Sequence, residues 1–593
     1  MENPRPSLRK RLALKRQSRF IKKHARRAEG ATIRHARRFL VNRWDKILEI
    51  RLHVFGWLAG VGLIIVIVGL QMVWFQQSYV ETKPVKGGTY AEAVRGPIQT
   101  LNPLYATTPA ELAVTNLIFS SLYSYDTTGN LRGDIAKSIQ NKDDQEFTVK
   151  LRRDAHWHDG TPLTAKDIVF TINLMRDPSS RSVSAVSWQG VAAEYVNEYE
   201  VRFLLPASYA AFPHALTFAI LPSHLLKDVE PSAVRENTYS VNPVGSGPFS
   251  LQLLQTVGDE VDRKIVYLNA NSTYHWGRPQ LDRLQLHTYK DDENMYTALR
   301  TGEVIGASDV SSDVARMVDS NVFNVISRPV NNGVYVIFNL ANPVLKNKEV
   351  RTALRLATNT KAISNSLYGK PNTLHLPFLP SQVKGSDSIK TPKSNLSAAV
   401  KLLDKEGWKL KDGVRSKKGQ ELRFRIVTRQ NTEYETSLKE LIDQWSSLGV
   451  KLDAEVFDAS DATKSFAGDV LQTRNYDILL DELVIGADPD VFAFWHSGGL
   501  LNFSEYGSDV ADDALTSARD QSNPALRNAK YLTFARAWLS DIPAIGLYQS
   551  NITYIHTKST RTIGPDEVII NPSDHYGGVL HWTAEKGRVY KTP

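Results

Sequence analysis

The amino-acid sequence predicts a mixed α/β body held behind a single transmembrane helix. Three observations lead there. Val54 to Phe75 runs 22 residues without a charge. The bases are concentrated before it: residues 1–51 hold 17 Lys and Arg against four Asp and Glu, so a segment at +13 precedes a remainder at −4 in a chain of net charge +9. After residue 87, strand-like alternation and helix-like apolar stripes take turns, with no low-complexity stretch and no short repeat.

The basic arm, residues 1–51, comes first. Its bases, from Arg9-Lys10-Arg11 to Arg37-Arg38, suit the anionic lipid of an inner leaflet or a nucleic acid. Only Phe20, Phe39 and Trp44 are aromatic and no recognition motif is present, so lipid is the expected partner and no nucleic acid is expected. The apolar run follows. At about 1.5 Å per residue it crosses roughly 30 Å of hydrocarbon. Trp57 and Trp74 lie near its ends, where indole rings favour the interface. Arg43, Lys46 and Arg51 precede it and Gln76, Gln77 and Ser78 follow. The positive-inside rule then puts the arm in the cytoplasm and the body outside, on a single-pass anchor at 52–76 in the cell membrane. A buried core helix fits the length and lack of charge poorly. A cleaved signal peptide fits poorly too, because both the basic and apolar regions are long and no A-x-A site follows Phe75. Residues 77–86, with Pro84, read as a polar linker.

Composition bounds the body. The chain of 593 residues is 42% hydrophobic and 23% charged, enough for several cores. It has no cysteine, which excludes disulfides, thiolate metal sites, cysteine nucleophiles and a cysteine-linked lipid. A strand-like run begins at Gly87-Gly88-Thr89-Tyr90, and Phe147–Leu151 alternates as a half-buried strand should. Thr164, with Asp167 three residues on, caps a helix that puts Ile168, Val169 and Ile172 on one face. Val350, Leu354 and Ala357 form a second stripe. Ala398, Ala399, Leu402 and Leu403 form a third, stopped by Gly407; Leu438, Leu441, Ile442 and Trp445 form a fourth, stopped by Gly449. Val334–Phe338 and Arg423–Val427 read as strands.

Residues 151–171 read LRRDAHWHDGTPLTAKDIVFT. In order behind them stand NPVGSGPF (242–249), NPVLKNKEVRTALRLATN (342–359), AAVKLLDKEGW (398–408), GADPDVFAFWHSGG (486–499) and DIPAIGLYQ (541–549). This set resembles the peptide/nickel-type extracellular solute-binding proteins, family 5, over roughly 85–585. The resemblance implies a two-lobed, periplasmic-binding-protein-like fold of type II, with an extra subdomain and a ligand cleft between the lobes. Lobe I is then expected at 87–334, with the subdomain near 126–240, lobe II at 335–548, and a return to lobe I at 549–593. Hinges are expected near Tyr335–Asn339 and near Ala544–Tyr548. The implied function is capture of oligopeptides, by a monomer, for the permease subunits and cytoplasmic ATPase of an ABC importer.

Such a cleft has a physical rationale. An extended peptide carries a donor and an acceptor at each residue, and leaving them unpaired on burial is costly. Strand edges on the lobes satisfy them independently of side chains. By resemblance the second-lobe strand is Glu482, Leu483, Val484, Ile485 and Gly486, ahead of Asp488-Pro489-Asp490. Family members often hold the peptide α-ammonium with a carboxylate shortly before this Asp-Pro. Ile485 stands at that place here, so Glu482, Asp488 or Asp490 is left for the role, and alternation does not choose among them. First-lobe contacts are expected from the Thr100–Tyr105 loop with Asn102 and Tyr105, from Tyr90, and from backbone at Ser246 and Gly247. Trp495 and His496 suit either a side-chain pocket or, for Trp495, the core.

The chemical constellations weigh against catalysis and cofactors. His156 and His158 would share a face on a strand and so suit a metal, but Asp159-Gly160 marks a turn. Gly245-Ser246-Gly247 lacks the first glycine of a nucleophile elbow, since Val244 stands there, and Pro248 opposes a following helix. No enzyme, metal or cofactor is expected. A peptide-sensing signalling receptor and a binder of a non-peptide solute, such as a metal chelate or sugar, remain the alternatives.

Overall fold

The computed structural model describes residues 51–258, 263–390, 393–457 and 465–590. The chain divides into two compact units, Met1–Lys83 with Gly587–Pro593, and Pro84–Lys586. Apart from Arg51, the basic arm lies outside the described residues.

In the first unit an α-helix runs Arg51–Tyr79. Its segment Arg51–Trp74 has a mean hydropathy of 2.3 and the length to cross a membrane. Leu63, Ile64 and Ile65 are all exposed, so this is not the core helix of a globular domain. The expected linker at 77–86 is corrected: the helix continues to Tyr79, and Val80–Val85 is a strand paired with Glu585–Tyr590. Its partner stands near the other end of the chain, so no local pattern announces the pairing.

One ten-stranded sheet organises the second unit. In chain order its strands are β1 (Thr89–Arg95), β2 (Phe249–Thr256), β3 (Lys264–Ala270), β4 (Arg283–Tyr289), β5 (Gly306–Ala307), β6 (Phe323–Phe338), β7 (Arg423–Arg429), β8 (Lys451–Phe457), β9 (Ile478–Val484) and β10 (Ala544–Thr557). In space they lie β8-β7-β9-β6-β10-β5-β1-β4-β3-β2. Strands β6 and β10, of 16 and 14 residues, pair antiparallel and serve both lobes. Helices take up the stripes read from the sequence. Thr164 and Asp167 cap Ala165–Arg176, with the Thr164 N–H donating to Asp167 Oδ2 at 2.9 Å. Val350, Leu354 and Ala357 are buried on Lys348–Ala357, and Leu438, Leu441 and Trp445 on Thr432–Ser446. A four-stranded sheet of Ala136–Lys142, Glu146–Leu151, Glu200–Leu204 and Ala192–Asn197 forms a separate layer in the first half.

The cores divide the strands between the lobes. Val330 of β6 and Ile552 and Tyr554 of β10 belong to the first-lobe core with Tyr90, Leu117 and Trp582. Val334 and Val336 of β6 and Leu547 and Tyr548 of β10 belong to a second-lobe core with Leu441 and Trp445. The opposite face of that sheet packs Tyr335, Ile337, Trp495 and Trp538. The chain therefore crosses between Val330 and Val334, and again between Tyr548 and Ile552. These crossings stand a few residues outside the segments near which the hinges are expected, Tyr335–Asn339 and Ala544–Tyr548, which sit within second-lobe cores. The β6–β10 register shifts between Pro329 and Gly333, and a proline, which has no N–H for the ladder, stands where the pairing is interrupted.

Candidate ligand cleft

One side chain joins the two crossing strands. Glu482 on β9 accepts from Asn332 Nδ2 of β6 at 2.6 Å and from Ser550 Oγ of β10 at 2.5 Å, and the Tyr434 hydroxyl donates to it at 3.4 Å. Register places it there: Glu482 lies opposite Val334, and Val484 opposite Asn332. Burial raises its carboxyl above the ordinary range, while the Ser550 and Asn332 hydrogen bonds act the other way. Two further acids stand near. Glu433 begins the helix Thr432–Ser446 behind its Asn431 cap. Burial, with Asp309 and Glu482 in electrostatic reach, pushes its carboxyl up to about 7. Asp309 follows β5 beside β10, where the Val310 N–H donates to Thr553 O at 3.1 Å. The Asp309 side chain is accessible, yet the protein crowded around it raises its carboxyl. Accessibility within such crowding is what a cleft wall presents.

The strand carrying Glu482 has an open edge. β9 runs Ile478–Val484, but its parallel partner β7 pairs only with Ile478–Leu480. From Asp481 on, that edge has no strand partner among the described residues. Val484 is exposed, while Leu483 and Ile485 are buried. The Ile485 and Gly486 N–H groups then both donate to Asn331 O at 3.0 Å, and Gly486 takes φ 77° as the chain turns into Asp488-Pro489-Asp490.

That acidic rim is already paired. Arg527 grips Asp488 through two bonds of 2.6 Å and reaches the Tyr531 hydroxyl at 3.0 Å. Arg519 Nε donates to Asp490 at 2.8 and 3.1 Å. For Arg527 the pairing with Asp488 outweighs burial, and the guanidinium is held above its ordinary range. Arg519 also meets the first lobe. Its guanidinium lies over the Tyr209 ring at 5.2 Å and over Phe492 at 4.2 Å, and its carbonyl accepts from the Ala210 N–H at 3.0 Å. Close by, the Tyr125 hydroxyl and His214 Nδ1 are 3.0 Å apart, and burial lowers the His214 pKa. Tyr125 and Asp574 help line a polar first-lobe cavity of about 260 Å³, with Asn116, Ser121 and Arg132.

Several expected contact residues prove structural. Tyr90 is fully buried, its hydroxyl 2.6 Å from that of Tyr554 and its ring edge-on to Trp582. Asn102 is fully buried; Nδ2 donates to Ser240 Oγ at 3.1 Å and Oδ1 accepts the Leu104 N–H. Tyr105 is buried beneath the Arg235 guanidinium. The loop before them is wrapped on Glu111, which accepts the N–H groups of Gln99, Thr100, Thr107 and Thr108. The sequence reading missed Glu111, although Thr-x-x-Glu at 108–111 is a capping-box signature. Ser246 is buried and holds Ser120, and the Gly247 N–H donates to Ile118 O at 2.7 Å. A Cβ on Gly245 would sit 2.1 Å from Ile118 O. These glycines therefore permit close packing and do not offer donors to a ligand. Trp495 lies in the second-lobe core. His156 and His158 do not converge: one lies 3.2 Å from Asp154 O, the other between the Gly245 N–H and Gly247 O. Among the described residues no group of three His, Cys, Asp or Glu could hold a metal ion.

Comparison with known proteins agrees with the fold. Residues 130–502 match the profile of the bacterial extracellular solute-binding proteins, family 5 Middle. Oligopeptide-binding protein AppA of Bacillus subtilis is 26% identical over 487 residues, covering 79% of this chain and 87% of AppA. Oligopeptide-binding protein OppA of Lactococcus lactis is 24% identical over 462 residues, covering 68% and 74%. Among solved structures, NikZ from Campylobacter jejuni in complex with Ni(L-His) superposes with a TM-score of 0.71 at 26% identity, covering 84% of this chain and 99% of NikZ. AppA from Bacillus subtilis in complex with a nonapeptide superposes at 0.70 with 24% identity, over the same shares.

Proposed function

The chain belongs to the bacterial extracellular solute-binding proteins of family 5, a family of binding proteins and not of enzymes, and from that premise we propose that it captures oligopeptides between its lobes and delivers them to the permease of an ABC importer. The observation that carries the reading is the open edge of β9 from Asp481 to Val484, at the crossing of the lobes. An extended peptide added there would pair its backbone without regard to side chains. Glu482 to Gly486 form the second-lobe contact strand in this reading. In this reading Asp488 is a weaker candidate than Glu482 for the ammonium anchor, because Arg527 already pairs with it. AppA and OppA, named as oligopeptide-binding proteins, support the peptide assignment.

In the same reading Arg51–Trp74 anchors the body to the cell membrane, with the basic arm on the cytoplasmic face against lipid. The body then works outside as a monomer, close to its permease. The test is uptake of isotope-labelled pentapeptides by the source cells, with and without this gene. Loss of uptake on deletion, restored by the full-length chain, supports import. Unchanged peptide uptake together with lost uptake of nickel-histidine would overturn the cargo.

A further inference from the structure

We propose that the second lobe holds a small-anion site, in which the Arg355 guanidinium and the Trp538 indole N–H take a monovalent anion of halide size in one small cavity. The inference is independent of the peptide-binding reading, and the site shares no residue with the contact strand Glu482 to Gly486.

Three elements meet at the cavity. Arg355 stands in the last turn of the helix Lys348–Ala357, Trp538 in the last turn of the helix Pro524–Asp541, and Gly546 near the start of β10. Thr358 and His375 also line it, and no acid does. Its volume is about 30 Å³. A water molecule needs about 10–15 Å³ by this measure. The cavity therefore suits a monatomic ion and is too small for a sulfate or phosphate.

Charge pairing singles out Arg355. In the second lobe Arg415, Arg425, Arg429, Arg519 and Arg527 each pair with a carboxylate. Arg351, one turn before Arg355, donates to the carbonyls of Leu345, Lys346, Asp541 and Ile542 and has the Asp541 carboxylate in electrostatic reach. Arg355 makes no ion pair among the described residues; its Nη1 donates to Leu539 O at 2.9 Å, and its Nε is a buried donor without a partner. Burial opposes its charge and no acid offsets that. The carbonyl end of a helix compensates only about half a unit charge. A second buried donor lines the same cavity: Trp538 is 1% exposed, and its Nε1 has no hydrogen-bond partner. Guanidinium and indole N–H groups only donate, so whatever satisfies them must accept. An anion accepts from both and also neutralises the buried cation, which a water molecule cannot do.

The test is thermal unfolding of the full-length protein in detergent, titrated with sodium bromide while sodium gluconate, whose anion is too large for the cavity, keeps the ionic strength constant. The expected result is a saturating rise in the unfolding midpoint of about 2 °C or more. Arg355→Gln should abolish the rise. Trp538→Phe keeps an aromatic ring and removes only the N–H donor from it; it should raise the half-saturating bromide concentration about tenfold. An equal bromide response in wild type and both variants would assign the effect to surface ions and overturn the site. A midpoint unmoved when bromide replaces gluconate would overturn it too. Should Arg355→Gln fail to fold, anomalous scattering from wild-type crystals grown in bromide decides: a bromide peak beside Arg355 supports the site, and a cavity holding only water overturns it.

Discussion

Replacing Arg519 by alanine removes a contact that forms only when the lobes meet. The guanidinium lies over Tyr209 of the first lobe at 5.2 Å, and Tyr209 is in electrostatic reach of Asp490, the carboxylate that Arg519 neutralises. A partly desolvated cation–π contact contributes about 1 kcal/mol. Leaving Asp490 unpaired costs more in the closed form than in the open one, because closure removes water. Together these weaken closure by about 1 to 2 kcal/mol, or roughly a five- to thirtyfold loss of peptide affinity if binding requires closure. Isothermal titration with one fixed pentapeptide reads the affinity, and small-angle scattering with and without it reads the closure. Arg519→Lys keeps the charge but not the planar stacking surface, and should fall between. The Ala210 N–H to Arg519 carbonyl bond survives in both variants. Affinity within twofold of wild type for Arg519→Ala would refute the reasoning.

Three further outcomes are expected. Gly247→Ala places a Cβ 2.6 Å from the Ile118 carbonyl carbon and 2.7 Å from Leu117 O, both backbone, so it should destabilise the first lobe by about 3 kcal/mol; a denaturant midpoint equal to wild type would contradict the packing role. The Glu433 carboxyl sits at about 7 in the folded chain against 4.5 for a free glutamate. The folded state then holds the extra proton between pH 4.5 and 7, so this group favours folding at the acid end and that contribution is lost as pH rises through 7. Glu433→Gln should therefore show a smaller fall in stability across this window than wild type, measured by urea unfolding at each pH; parallel curves would contradict it. Removing residues 1–79 should move the protein from the membrane fraction to the soluble fraction, and continued sedimentation with membranes would argue against the anchor.

The legible parts of this protein were those with a local signal. The span at Val54–Phe75, the Thr164 cap and the stripe of Leu438, Leu441 and Trp445 each declare themselves within a few turns of chain. The ordered motifs then pointed to two lobes. The cleft was less legible because its geometry is non-local. Gly245 and Gly247 look like a loop that could offer donors, and only the nearness of Ile118 shows why they are glycine. Tyr90 lies on a strand whose core side is set by Tyr554 and Trp582, more than 460 residues away in the first case. Glu482 was within sight as one of three acids, but its separation from Asp488 and Asp490 depends on Arg527 and Arg519 from later helices. Asp309 and Glu433 carry no motif; strands β5 and β10 and the start of one helix bring them to the crossing. The exact crossing is hard to read for a similar reason, since the register shift after Pro329 belongs to the β6–β10 pair and not to either strand alone.

The central claim is that the cleft holds peptides. The most direct measurement is mass spectrometry of small molecules released on denaturing the full-length protein, purified gently from its source. The account predicts a ladder of heterogeneous short peptides. A single non-peptide compound, recovered in stoichiometric amount, would contradict it while leaving the solute-binding fold intact.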